Sequence, residues 1–196
     1  MNPKIDELIQ KITSLENDLR DEVEKEQKKV AYQFKKGRVV FDKDVLAKQR
    51  EGFISLLTYL RKTPILFIVT SPFIYGLIIP ALILDMCVSI YQAINFRVYK
   101  IPMVKRDKYI VFDRQYLAYL NIIEKINCLY CSYFNGLMAY VSEIASKTEQ
   151  YWCPIKHAKK IAYKHRYYDL FLPYGDASDY HQRLEELRKR LEKEEF

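Results

Sequence analysis

Pro64-Ile-Leu-Phe-Ile-Val-Thr-Ser-Pro-Phe-Ile-Tyr-Gly-Leu-Ile-Ile-Pro-Ala-Leu-Ile-Leu84 opens an apolar stretch that continues to Phe96. Between Lys62 and Arg97 the only charged side chain is Asp85. About 18 or more uncharged apolar residues in a row mark a candidate membrane span, and the quoted run meets that length. More than sixty residues precede it, so a cleaved signal peptide is not expected. Pro64 to Phe96 as one helix would measure about 50 Å, against a hydrocarbon core of about 30 Å. Pro72, Gly76 and Pro80 fall in its middle and loosen helical hydrogen bonding. These features predict a tight apolar hairpin or re-entrant element, with limbs at Phe53–Thr70 and Phe73–Phe96. A single tilted or kinked span is the competing form.

Charge on both flanks bears on the topology. Lys28, Lys29, Lys35, Lys36, Arg38, Lys43, Lys48 and Arg50 precede the stretch, while Arg97, Lys100, Lys105, Arg106 and Lys108 follow it. Basic residues at both ends favour placing both on the cytoplasmic side. The formal net charge of +7 suits an anionic membrane surface as well as it suits nucleic acid. Because the cations crowd around the apolar run, the lipid bilayer is the expected partner and no nucleic acid is expected. Asp85, embedded in that run, reads either as an intramembrane ion site or as a protein-facing carboxylate near the end of the second limb.

Residues 1–52 form the N-terminal region, residues 53–97 the membrane element and residues 98–196 a soluble helical part. Asn2-Pro3 resembles an N-cap with proline at the first helical position. Ile5, Leu8, Ile12, Leu15 and Leu19 then recur at alternating three- and four-residue steps, the seam of a short coiled coil. That seam is expected to pack on another helix, in this chain, in a second copy or in another helical protein. Gly37 interrupts the helical pattern, and Phe41-Asp42-Lys43-Asp44 begins a fresh helix.

Beyond Phe96 the period changes. Arg97–Pro102 and Tyr109–Phe112 are short and rich in β-branched and aromatic residues, which predicts a β-hairpin. Asp113 is placed to cap a long helix starting at Arg114, with Asn135-Gly136 as a candidate break and Thr148–Pro154 as its end. A last helix carries Leu184, Leu187 and Leu191 on one face, with Asp176 or Ser178 as its cap. The expected fold is therefore mainly α: a helical membrane protein with a coiled-coil-like N-terminal helix, an apolar hairpin, a short β-hairpin and a helical C-terminal part.

Cys128-Leu-Tyr-Cys131 and Cys153-Pro-Ile-Lys-His157 contain the residues with the most distinctive chemistry. Three thiolates and one imidazole suit a closed tetrahedral zinc site. Cysteine followed by proline also suits an iron–sulfur cluster, and a Cys-x2-Cys pair suits a dithiol redox site. Cys131 and Lys147 lie about 24 Å apart along a straight helix, so a single-chain site predicts a bend at Asn135-Gly136. The alternative is that Cys128 and Cys131 are helix-packing residues and that Cys153 and His157 belong to an ordinary loop. Cys87 reads as a small hydrophobe, and neither His165 nor His181 has a spaced triad partner. The basic, aromatic segment Lys156–Tyr168 points to lipid headgroups before RNA.

The stretches from Glu124-Lys-Ile-Asn-Cys-Leu-Tyr-Cys-Ser-Tyr-Phe-Asn-Gly136 and Glu149-Gln-Tyr-Trp-Cys-Pro-Ile-Lys-His-Ala158 resemble an uncharacterised group of bacterial membrane proteins. The resemblance implies the bacterial inner membrane and implies no activity. From residues and resemblance together, the expectation is a membrane-anchored scaffold or assembly protein with structural zinc on Cys128, Cys131, Cys153 and His157. An iron–sulfur or dithiol redox protein, and a pore or transporter subunit using Asp85, are the alternatives. No constellation in the chain calls for an enzyme.

Overall fold

A computed structural model describes residues 3–28, 32–35 and 38–193. The chain is mainly helical. It forms two compact units: one includes the residues up to Leu60 together with Asp113–Lys125, and the other combines Arg61–Phe112 with the chain from Ile126 onward.

In the first unit, α1 runs Pro3–Lys28, and every side chain described along it is exposed. Glu7–Lys11 and Glu22–Lys25 ion pairs at 2.6 Å lie along its surface. The expected Asn2 cap and the Gly37 interruption lie outside the described residues. Strands β1 (Tyr32–Lys35) and β2 (Arg38–Phe41) pair antiparallel, Tyr32 opposite Phe41 and Lys35 opposite Arg38. Helix α2 (Lys43–Glu51) begins at the expected Asp42 and ends at Gly52; α3 (Leu56–Lys62) follows. Two contacts tie this part to residues from beyond the apolar stretch. Gln49 Oε1 accepts from the Ala118 N–H at 2.9 Å, and Asn121 Nδ2 donates to the Ile54 carbonyl at 3.5 Å.

The apolar stretch is not a hairpin. It forms α4 (Ile65–Gly76) and α5 (Ile78–Tyr91), which continue through a π-turn at Gln92–Phe96 as one helix of 32 residues. The prolines loosen this helix without reversing it. Pro72 cannot donate to the Ile68 carbonyl, and Ser71 Oγ donates there instead at 2.8 Å. Ahead of Pro80 the chain tightens to a three-residue step, from Leu77 N–H to Ile74 O at 3.2 Å. The helix then closes on Lys100, a non-glycine residue at φ 57°, with Ile101 N–H reaching back to Phe96 O at 2.8 Å. That backward bond across a left-handed residue is the Schellman form of helix end.

The β-hairpin expected at Arg97–Phe112 is also absent. This segment is irregular apart from one 3-10 turn at Arg106–Lys108. Ile101, Val104 and Ile110 are buried against Phe96, Leu137, Tyr140 and Ile144. Its backbone is satisfied by a side chain in place of a partner strand. The buried Gln92 amide accepts from Val104 N–H at 2.7 Å and donates to Val104 O at 3.3 Å, while its NH2 also meets Tyr140 Oη at 2.9 Å. Once a glutamine makes both bonds, burial needs no ladder.

Helix α6 runs Ile122–Trp152, beginning eight residues later than the sequence predicts. Its start is a capping box. Asn121 Oδ1 accepts from Glu124 N–H at 3.1 Å, and Glu124 Oε2 accepts from Asn121 N–H at 2.9 Å. Asn135-Gly136 does not break it. Cys153-Pro154 ends it as expected, and a parallel bridge joins Ile155 to Leu172. Helix α7 (Tyr180–Lys193) buries Leu184, Leu187 and Leu191. Neither expected cap residue caps it: Asp176 turns instead to Arg183 at 2.7 Å and to Ser178 N–H at 3.1 Å. With Arg183 foremost, these donors hold the Asp176 carboxyl at about 2.

Candidate functional site

The helix Ile65–Phe96 has a mean hydropathy of 2.2 over its most apolar stretch, and 6 % of that stretch is buried. It is long and apolar enough to cross a membrane. A soluble core helix of this composition would bury most of its side chains, yet α4 buries none. Ile65 is 79 % exposed and Phe73 80 %. Along α5 the exposure narrows to a stripe of Ile79, Leu82, Ile83, Met86, Ile90 and Ile94, while Ala81, Gln92 and Phe96 face the core.

The few polar groups on this helix are hydrogen-bonded within the protein. Thr70 Oγ1 donates to Leu66 O at 2.9 Å. Tyr75 donates to Asn127 Oδ1 on α6, and Tyr130 donates to Ile74 O at 2.7 Å. An apolar medium demands this arrangement, because an unpaired hydroxyl or carbonyl in hydrocarbon costs several kcal/mol, roughly what its hydrogen bond with water is worth.

Asp85 is a protein-facing carboxylate. Arg106 reaches Oδ2 at 2.6 Å and Oδ1 at 3.4 Å; Tyr133 Oη donates to Oδ2 at 2.9 Å and Ser89 Oγ to Oδ1 at 3.3 Å. Both oxygens are thus occupied by the return segment, α6 and α5. The sequence held half of the signal for this pair: Asp85 is the sole acid of the apolar run, but Arg97, Lys100 and Lys105 all precede Arg106 after it. Because the Asp85 side chain is 14 % exposed and that of Arg106 47 %, the pair is only partly screened. Arg106→Ala is expected to lower unfolding free energy by about 1–2 kcal/mol, while Asp85→Leu with Arg106→Leu recovers most of it. Denaturant titration in mild detergent reads both; equal losses in the single and double variants would remove the pair from the account.

The four candidate metal ligands are not brought together within one chain. Cys131 and Trp152 are separated by an unbroken helix, about 32 Å of axis, and Cys153 follows immediately. The bend that the site requires is missing. Cys131, Cys153 and His157 are exposed and Cys128 is half-buried. Among the described residues no three His, Cys, Asp or Glu side chains are grouped to hold a metal. His157 instead stacks on Tyr168 at 6.1 Å between ring centres, and its backbone N–H donates to the Tyr168 hydroxyl at 2.7 Å. Cys153→Ser is accordingly expected to change stability by less than about 0.5 kcal/mol. Loss of stoichiometric zinc by elemental analysis, together with unfolding, would reinstate the four-residue site.

The basic, aromatic segment after α6 keeps Tyr163 70 % exposed and turns its last two tyrosines inward. Tyr167, Tyr168 and Phe171 are buried together, so their rings offer no open stacking platform. Tyr167 Oη donates to Glu143 at 2.6 Å, and Arg166 binds the same carboxylate at 2.5 Å. Burial, then the Glu143 carboxylate, push the Tyr167 phenol well above its ordinary range, which keeps it a donor. His165 uses both ring nitrogens, one toward Glu149 at 3.1 Å and the other toward the Tyr167 N–H at 3.3 Å. The sequence did not reveal that pairing, and it leaves no imidazole nitrogen for a nucleophile.

No known protein family, curated protein or solved structure matches the chain.

Proposed function

We propose that this chain is a membrane-anchored interaction protein whose apolar helix Ile65–Phe96 is solvated by lipid and whose flanks before and after that helix lie on one face of the bilayer. One observation carries the reading: an almost wholly uncharged helix with exposed side chains along its length and with its polar groups bonded internally. In water such a surface far exceeds the apolar patch a monomer ordinarily leaves open.

The connectivity supports one-sided attachment. Gln49 and Ile54 precede the helix, Ala118 and Asn121 follow it, and these residues bond to one another inside a single unit. If the helix alone crossed the bilayer, its two flanks would stand on opposite faces. To rejoin them, Arg97–Phe112 would have to recross carrying Arg97, Lys100, Lys105, Arg106, Asp107 and Lys108. Each such charge costs about 2.5–3.5 kcal/mol at mid-bilayer. Basic residues on both flanks agree with a shared, cytoplasmic face of a bacterial inner membrane. Insertion from that face, with the apolar surface immersed and the cations at the headgroups, satisfies both constraints.

The reading needs neither zinc nor an iron–sulfur cluster, since the residues that would bind them stand apart. It is tested by alkaline carbonate washing of membranes and by labelling Asp44→Cys and Asp107→Cys in sealed vesicles with an impermeant maleimide. Retention in the pellet, with both sites labelled from the same side, is the expected result. A detergent-free soluble monomer overturns the anchor, and labelling from opposite sides overturns the one-face arrangement.

A further inference from the structure

We infer that α1 is a dimerisation helix that pairs in parallel and in register with α1 of a second copy of this chain. Its apolar stripe has no partner among the described residues: Leu8 is 50 % exposed, Ile12 56 %, Leu15 67 % and Leu19 66 %. The order of residue types selects the occupant. In heptad terms Ile5, Ile12 and Leu19 take the a positions and Leu8 and Leu15 the d positions. β-Branched residues at a with leucine at d favour two parallel strands over higher assemblies, and the first two of the three a positions, Ile5 and Ile12, meet that rule.

Register and charge select the orientation. A parallel pair sets each of the five apolar layers against its own copy. An antiparallel pair must set a against d, which either leaves Leu19 outside the seam or places Ile5 opposite Glu22. At the flanks, Lys11 occupies g and Glu16 the e position five residues on, so a parallel pair forms two symmetry-related Lys11–Glu16 contacts. The remaining g-to-e pairs are Lys4–Ile9 and Asp18–Val23, so no like charges meet. This inference rests partly on the membrane reading, because fewer than three heptads make a weak dimer in dilute solution. Anchoring both copies to one face raises their effective concentration and presents their helices with the same polarity.

Cysteine cross-linking of the full chain in liposomes of mixed phosphatidylethanolamine and phosphatidylglycerol tests it. Leu15→Cys at the seam should form a disulfide-linked dimer on mild oxidation, whereas Ser14→Cys, one residue round the helix, should not. The unsubstituted chain with its four cysteines sets the background. Adding Ile12→Asp to Leu15→Cys should cut the yield by about tenfold or more, because a carboxylate enters the apolar seam. Circular dichroism checks that helix content is retained. Equal yields from both cysteine positions, no yield at Leu15→Cys, or indifference to Ile12→Asp would each overturn the parallel seam. The two readings fail separately. A chain that floats with vesicles but does not cross-link keeps its anchor and loses the dimer; one that cross-links in free solution without binding vesicles keeps the dimer and loses the anchor.

Discussion

Phe73→Asp combined with Ile79→Asp is expected to release the protein from membranes while leaving its folded units intact. Two free energies point in opposite directions here, and their sizes decide the outcome. Phe73 is 80 % exposed and Ile79 62 %, so within the protein both substitutions are surface changes, worth about 0.5 kcal/mol or less each. In lipid, an aspartate near the middle of an apolar helix costs about 2.5–3.5 kcal/mol. Two of them amount to about 5 kcal/mol or more, at least a thousandfold in partitioning. Flotation with liposomes reads the partitioning, and thermal unfolding in mild detergent reads the fold. If the stripe were covered by protein, the signature would reverse: the double variant would still float while its oligomer dissociated or its melting temperature fell. Unchanged flotation and unchanged melting together would show that neither lipid nor protein covers this face.

The legible and illegible parts of this chain differ by the range of the forces that shape them. The α1 helix, the start of α2 at Asp42 and the end of α6 within Thr148–Pro154 are written in local pattern, and each is found where the sequence puts it. The reversal at Pro72–Pro80 was misread because proline was weighed as a breaker. Ser71, one residue earlier, supplies the missing bond to Ile68, and an apolar helix tolerates proline when a hydroxyl is at hand. The false hairpin at Arg97–Phe112 has a different cause. Its residues have strand-like character, but their partner is the side chain of Gln92 and not another strand, a non-local arrangement that spacing does not encode. The start of α6 was legible and overlooked, since Asn121-x-x-Glu124 is itself a capping signature. Of the candidate sites, Asp85 carried its own clue in its isolation, while nothing in the spacing singled out Arg106 over Arg97, Lys100 or Lys105 as its partner. Cysteine spacing tells which residues have ligand chemistry. It does not tell whether the helix between them bends.

That absent bend turns on Gly136, whose replacement carries the largest expected effect on stability. In a helix interior glycine is about 1 kcal/mol worse than alanine, so propensity alone predicts that Gly136→Ala stabilises α6. Packing predicts the reverse. A Cβ at Gly136 would stand 2.6 Å from the Tyr109 carbonyl oxygen, 2.9 Å from Ile110 Cα and 3.1 Å from Ile110 Cγ1. The first two obstacles are backbone and cannot rotate aside, and Ile110 is itself buried in the cluster with Leu137 and Tyr140. Relief requires lifting the Tyr109–Ile110 segment off the helix, which would loosen the packing of Ile110. Overpacking of this kind costs about 1–3 kcal/mol, and more where backbone is struck. The clash therefore exceeds the propensity gain. Gly136→Ala should lower unfolding free energy by about 1–2 kcal/mol net, and Gly136→Val, with two more carbons and a poorer helix former, by about 3 kcal/mol or more. Gly76, with open space around it, supplies the control: Gly76→Ala meets nothing and should be neutral or stabilising. Denaturant unfolding of the three variants in one detergent gives the comparison. A stabilised Gly136→Ala would mean that the return segment does not lie against α6, and with it would fall the account of how Gln92 and Arg106 hold that segment to the apolar helix.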